Sequence, residues 1–178
     1  FNILFIDLDS SRDHLPLLEL LQVSGEHLLT IINDILDFSK IEADKVQLEL
    51  ISFNLEELLE KTIKIYQPRA DEKKIKLMHS FPIDMPQFIV GDPVRLSQII
   101  TNLVGNAIKF TEVGTVDVRL TKEYDDDELV RFRVEVIDTG IGIPEDKLST
   151  IFDSFSQAEV TTTRRFGGSG LGLSITRY

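Results

Sequence analysis

Gln98, Asn102, Asn106 and Lys109 follow one another at spacings of four, four and three within Arg95–Thr111 (RLSQIITNLVGNAIKFT), which sets them along one face of a helix. The opposite face is an apolar stripe of Ile99, Ile100, Leu103, Val104, Ala107 and Ile108. Asparagine is a mediocre helix former because its amide competes for the backbone, so two of them one turn apart call for a reason. A carboxamide oxygen is a hard, neutral ligand suited to Mg²⁺, and a lysine ammonium one turn on can meet a phosphate as a point charge. Taken alone, the stretch reads equally well as a solvated face that happens to carry asparagine.

Two further stretches bear groups of the same kind. RFRVEVIDTGIGIP (131–144) alternates as a strand with Phe132, Val134 and Val136 inward, then breaks at Asp138, Gly140 and Gly142. An acid at the end of such a strand can accept from an exocyclic amine, while the glycines let a flat ring approach the backbone; a plain turn would use the same residues. TTTRRFGGSGLGLSI (161–175) pairs Arg164 and Arg165, then runs through Gly168, Gly170 and Gly172 into an apolar helix beginning at Leu171. Consecutive backbone amides ahead of a helix attract phosphates, and paired cations argue against a bare surface loop. The glycines fit neither the dinucleotide fingerprint nor a Walker A loop, which would need a preceding strand or a Gly-Lys-Ser/Thr. Between these two stretches IFDSF (151–155) places Ile151, Phe152 and Phe155 on one side of a short helix, a core piece that could clasp a mobile lid.

These groups need a scaffold. The 178 residues, 42% hydrophobic and 28% charged, suffice for one domain with a core plus a helical segment. A formal charge of −11 argues against a general nucleic-acid surface, so any anionic ligand must be held locally. There is no cysteine, which excludes disulfides, thiolate metal sites and thiol nucleophiles. No apolar run reaches the roughly 18 residues of a membrane span. After SSRD (10–13), Leu17, Leu21, Ser24, Leu28, Ile31, Ile35 and Phe38 alternate spacings of four and three, as in a helix packed in a bundle. Leu18, Leu29, Ile32 and Leu36 widen that stripe, so the helix requires a partner. VQLELISF (46–53) alternates as a strand, Asn54 and Glu57 form a capping box before a second helix, and KKIKLMHSF (73–81) reads as another strand. FIVGDP leads to Pro93 as the start of the asparagine-bearing helix, and residues 115–121 and 129–137 follow as strands around the acidic turn EYDDDE. This order describes an α+β fold: a two-layer sandwich, a mixed sheet with helices on one face, preceded by a long bundle helix.

In combination the stretches resemble the ATP-binding domain of sensor histidine kinases, within the wider family that includes gyrase, Hsp90 and MutL-type ATPases. NLVGNAIKFT is similar to that family's N box, DTGIG to its G1 box, IFDSF to its F box and GGSGLGL to its G2 box. SGEHLLTIINDILDFSKIEADK resembles the second helix of the dimerisation and phosphotransfer domain of hybrid-type kinases. The resemblance implies that residues 1–45 belong to that helical domain and 46–178 to the ATP-binding domain. It implies ATP and Mg²⁺ as ligands, with Asn106 on the metal, Asn102 beside the phosphates and Lys109 in contact with them. Asp138 would read the adenine amine and Gly140 and Gly142 would shape the base pocket. Gly168, Gly170 and Gly172 would form the hinge of a lid over the triphosphate, and Arg164, Arg165 and Leu171 would also bind ATP. It further implies a homodimer through the N-terminal helix, a response-regulator receiver domain as partner and no nucleic acid. The location implied is cytoplasmic, with any membrane contact made only by sensor segments outside this sequence. His14, His27 and His79 do not fit the family's H box, so the phosphoacceptor is expected upstream of Phe1. The last strands of the sheet are expected after Tyr178. A nucleotide-binding regulatory protein without kinase activity is the alternative.

Overall fold

The computed structural model describes residues 15–43, 45–126, 129–153 and 172–176. Helix α1 (Leu15–Glu42) comes first, followed by β1 (Ile51–Asn54), α2 (Leu55–Lys64), α3 (Gln67–Glu72), β2 (Ile75–Ser80) and β3 (Phe88–Gly91). Helix α4 (Pro93–Phe110), strands β4 (Gly114–Asp125) and β5 (Val130–Asp138), a 3-10 turn (Glu145–Lys147) and α5 (Gly172–Ile175) complete the order.

Local chemistry sets most of the boundaries. The Asn54 carboxamide accepts from the Glu57 amide at 3.1 Å and starts α2. Asp92 caps α4 by accepting from the amides of Val94 and Arg95 at 3.1 and 3.0 Å, and Pro93 occupies the first turn, where its missing N–H costs nothing. Between α3 and β2 the chain reverses through Lys74, a non-glycine at φ 58.

Two sheets form instead of one. Strand β2 runs parallel to the central β4, and β4 runs antiparallel to β5, giving the order β2-β4-β5. Strands β1 and β3 make a separate antiparallel ribbon, with Ile51 opposite Gly91 and Asn54 opposite Phe88. Val116, Val118 and Leu120 alternate into the interior on β4, facing Leu55, Leu59 and Ile63 of α2 and Ile100, Val104 and Ile108 of α4 in one buried cluster. The helices thus lie on one face of a mixed sheet. Burying each of these aliphatic side chains is worth roughly 1.5–3 kcal/mol, so this layer contact carries the fold.

The expected strand over 46–53 is corrected to Ile51–Asn54. Its partner β3 ends at Gly91, and the next residues cap and open α4, so among the described residues no strand pairs with residues 46–50. Instead the Glu49 amide donates to the Asp92 carboxylate at 3.2 Å, and Val46, Leu48 and Leu50 stay exposed. Two short elements, α3 and β3, were not expected. His79 lies within β2, and His27 is in α1. Ile151, Phe152 and Asp153 sit in turns, not in a helix, and the remainder of that motif is outside the described residues.

Candidate functional site

Helix α4 carries the site's first three groups. Asn102, Asn106 and Lys109 are all half-buried, on the side away from the fully buried Ile100, Val104 and Ile108. The Asn102 Nδ2 donates to the Gly172 carbonyl at 3.1 Å, and a Cβ on Gly172 would come within 3.3 Å of Asn102 Oδ1. Asn102 therefore fastens α4 to the start of α5, and Gly172 is helical at a close approach between the two. One turn of α4 beyond Asn106, the Lys109 ammonium stands 4.9 Å from the centre of the Phe110 ring. Its pKa is lowered first by burial and then by the charge of Arg69 on α3.

The Asp138–Gly142 loop docks on the end of the same helix. The Gly140 amide donates to Asp138 Oδ1 at 2.8 Å, an Asx turn that orients the carboxylate at the exposed end of β5. The Ile141 amide donates to the Phe110 carbonyl at 3.3 Å. A Cβ at Gly140 would lie 2.6 Å from that carbonyl oxygen, so only glycine lets the loop come this close. At Gly142, with φ 70, no described atom lies within 4 Å of the would-be Cβ. Thr139 ties the loop to the sheet: its Oγ1 accepts from the Thr115 amide at 2.9 Å and its amide donates to the Thr115 carbonyl at 3.1 Å.

The structure thus brings together six of the expected residues: Asn102, Asn106 and Lys109 on α4, and Asp138, Gly140 and Gly142 on the loop against its C-terminal end. Gly172 joins them through Asn102. Arg164, Arg165, Gly168, Gly170 and Leu171 lie outside the described residues. Three contributors escaped the sequence reading. Gly114, at φ 133, leaves room for Thr139 Oγ1, which a Cβ would overlap. Gly105 admits the Tyr66 ring, whose hydroxyl donates to the Thr101 carbonyl at 3.0 Å. Lys73 donates from Nζ to the carbonyls of Ile108, Lys109 and Thr111 at 2.7, 3.0 and 3.0 Å. Each acts on a partner distant in sequence.

The donor set fits a magnesium-bound nucleotide: neutral carboxamides and one ammonium along a helix, and an acceptor for an amine on the loop docked at its end. Among the described residues no cluster of three His, Cys, Asp or Glu could hold a metal, so a hard cation here would depend on carboxamide and ligand oxygens.

Comparison with known proteins accords with this geometry. The family described as histidine kinase-, DNA gyrase B- and HSP90-like ATPase matches residues 91–178. Over 94% of this chain the sequence is 46% identical to the signal transduction histidine-protein kinase BarA of Escherichia coli K12, covering 18% of that protein. It is 44% identical to the autoinducer 2 sensor kinase/phosphatase LuxQ of Vibrio cholerae, again over 94% of this chain and over 19% of that protein. The crystal structure of full-length ShkA in complex with AMPPNP superposes with a TM-score of 0.76 at 35% identity, over 95% of this chain and 34% of ShkA. The catalytic domain of histidine kinase ThkA superposes with a TM-score of 0.59 at 30% identity, over 72% of this chain and 78% of that domain. The chain belongs to the histidine kinase-, DNA gyrase B- and HSP90-like ATPases, as the ATPase domain of a sensor histidine kinase. It spans less than a fifth of the length of the two curated kinases named.

Proposed function

We propose that residues 46–178 bind ATP with Mg²⁺ and transfer its γ-phosphoryl group to a histidine outside this sequence, from which it passes to a receiver-domain aspartate. Residues 1–45 contribute to the dimerisation and phosphotransfer domain. The observation that supports this reading is the docking of the Asp138 loop on the end of α4, where the Ile141 amide donates to the Phe110 carbonyl at 3.3 Å, one residue beyond Lys109. In this scheme Asn106 ligates the metal, Asn102 holds the phosphate side of the site against α5, Lys109 neutralises phosphate charge and Asp138 accepts from the adenine amine. Arg164, Arg165, Gly168, Gly170, Leu171 and Gly172 form the lid. Bound Mg²⁺ supplies charge neutralisation on the phosphates. An imidazole nitrogen of the acceptor bonds to the γ-phosphorus as the β–γ bridging bond breaks, and ADP leaves with that electron pair. This chain's residues position and neutralise; no strong base is required of them.

The dimer proposal rests on α1, whose Leu28 and Ile35 are 58% and 45% exposed. No described helix is long and apolar enough to cross a membrane, in keeping with the cytoplasmic side as the proposed location. The complex of ThkA with the response regulator TrrA, to which this chain is 25% identical over 84% of its length, supports a receiver domain as partner.

The test is incubation of the 178-residue chain with labelled ATP, alone and with a longer protein carrying the upstream segment. Label should appear only on the longer protein. Acid-labile, base-stable phosphate on His14, His27 or His79 would refute the placement of the acceptor, and failure to bind ATP at all would refute the function.

A further inference from the structure

We infer that Lys73, which lies in none of the four boxes, is a positioning residue of the nucleotide site that locks and electrically neutralises the last turn of α4. The inference rests on the proposed role of α4 in holding the phosphates and metal. A helix ends with four carbonyls that have no partner within it. In α4 these belong to Ala107, Ile108, Lys109 and Phe110, and each finds a donor. The Thr111 amide donates to Ala107 at 3.0 Å and the Ile141 amide to Phe110 at 3.3 Å. Lys73 Nζ supplies the other two, at 2.7 Å to Ile108 and 3.0 Å to Lys109, and a third bond at 3.0 Å to Thr111. An ammonium has three donors, and here all three are used.

The usual way to close a helix, a left-handed glycine, is not taken: Thr111 is extended, at φ −94 and ψ 124. Without Lys73, the carbonyls of Ile108 and Lys109, in the turn that follows Asn106, would lose these donors. The charge matters as much as the geometry. A helix C-terminus carries a partial negative charge of about half an elementary unit, the wrong sign beside a polyphosphate. An ammonium bonded to those carbonyls offsets it within the turn where Lys109 must meet the same anion. Arginine cannot substitute, because its donors are spread over a planar fork and do not converge from one nitrogen on three carbonyls.

Calorimetric titrations of the 178-residue chain and its Lys73→Met and Lys73→Arg variants with adenosine, ADP and ATP, all in Mg²⁺, test this. Lys73→Met should leave adenosine affinity within about twofold and weaken ATP about tenfold or more, with ADP between; Lys73→Arg should recover less than half of the ATP loss on a logarithmic scale. A general loosening of the fold would lower all three ligands alike, and that result, or unchanged ATP affinity, would overturn the inference. Native-state hydrogen exchange on the unmodified chain needs no variant: the amides of Ile108–Thr111 should be as protected as those at the centre of α4, and a frayed last turn would also overturn it. If ATP binds and Asn106→Ala weakens it while Lys73→Met does not, this inference alone fails. If the unmodified chain binds no ATP, the functional reading fails with it.

Discussion

Arg95 on α4 and Asp37 on α1 form an ion pair of 2.9 Å, and the same carboxylate oxygen accepts from Gln98 Nε2 at 2.8 Å. Arg95 also donates to Gln98 Oε1 at 2.9 Å, closing a three-membered polar contact between α1 and α4. Burial by itself would raise the Asp37 pKa, but the hydrogen bonds from Gln98 and Arg95 and the charges of Arg95 and Lys40 outweigh it and hold the carboxyl below its ordinary value.

A depressed folded-state pKa means that this contact contributes fully above the unfolded aspartate value, about 3.9, and is lost as pH falls through the lower folded value. Thermal unfolding of the unmodified chain and of Asp37→Asn should therefore differ by about 1 kcal/mol near neutral pH, a magnitude between exposed and buried pairs, and converge in acid. A difference that persisted unchanged to about pH 2 would contradict the assignment.

Asn106 and Asp138 should fail in different ways. If Asn106 ligates the metal, Asn106→Ala weakens ATP mainly when Mg²⁺ is present. Asp138→Ala should weaken ATP and ADP alike, with or without metal, by about 1–3 kcal/mol for the unpaired amine, and should erase the preference for adenine over guanine. Titrations with ATP, ADP and GTP, in Mg²⁺ and in chelator, decide between these roles; equal losses for Asn106→Ala in both media would remove it from the metal.

Helix α1 offers Leu17, Leu21, Leu28, Leu29, Ile35 and Leu36 to solvent. Leu28→Glu combined with Ile35→Glu should convert a dimer to monomers in sedimentation experiments. An unmodified chain that stays monomeric at high micromolar concentration would rule the dimer out for this sequence.

Gly114 and Gly142 make a paired test of backbone against packing. At Gly114, φ 133 is combined with a clash against Thr139 Oγ1, so Gly114→Ala should cost about 2–5 kcal/mol from strain and overpacking together. Gly142, at φ 70 with no described atom near its would-be Cβ, should cost only about 1–2 kcal/mol on the same change. Urea midpoints of the two variants check the order; the reverse order would mean that the Thr139 contact yields easily.

What could be read from the residues alone follows from how local the physics is. The start of α4 was legible because Asp92 and Pro93 act on the very next amides, and the capping of α2 by Asn54 because its partner is three residues away. The inward face of β5 was legible for the same reason. The site face of α4 and the Asp138 loop were recognisable as separate pieces, but their contact depends on Ile141 and Phe110, which nothing in the spacing connects. The length of β1 was misread because a strand needs a partner, and the extent of β3 is decided by where α4 begins. Lys73 looked like an ordinary residue at the head of a strand. Its three acceptors are 35, 36 and 38 positions away.

That separation recurs. Thr62 meets Ser97, Tyr66 meets Thr101 and Lys73 meets Ile108, each pair 35 residues apart. A constant offset means that the α2–α3 segment and α4 run side by side in the same direction, as β2 and β4 do in their parallel pairing. During folding, β4 and β5 can zip together across their short connection, and α4 can form from its own turns. The α2–α3 segment can add only after the chain closes a loop of these 35 residues, and strand β2 after one of 39 (Ile75 to Gly114), an entropic toll that grows slowly with length but precedes any contact that rewards it. The three matched pairs then arrive as one rank: Tyr66, seated over Gly105 at its centre, is the side chain whose seating separates a correctly aligned α2–α3 segment from one slipped by a helical turn.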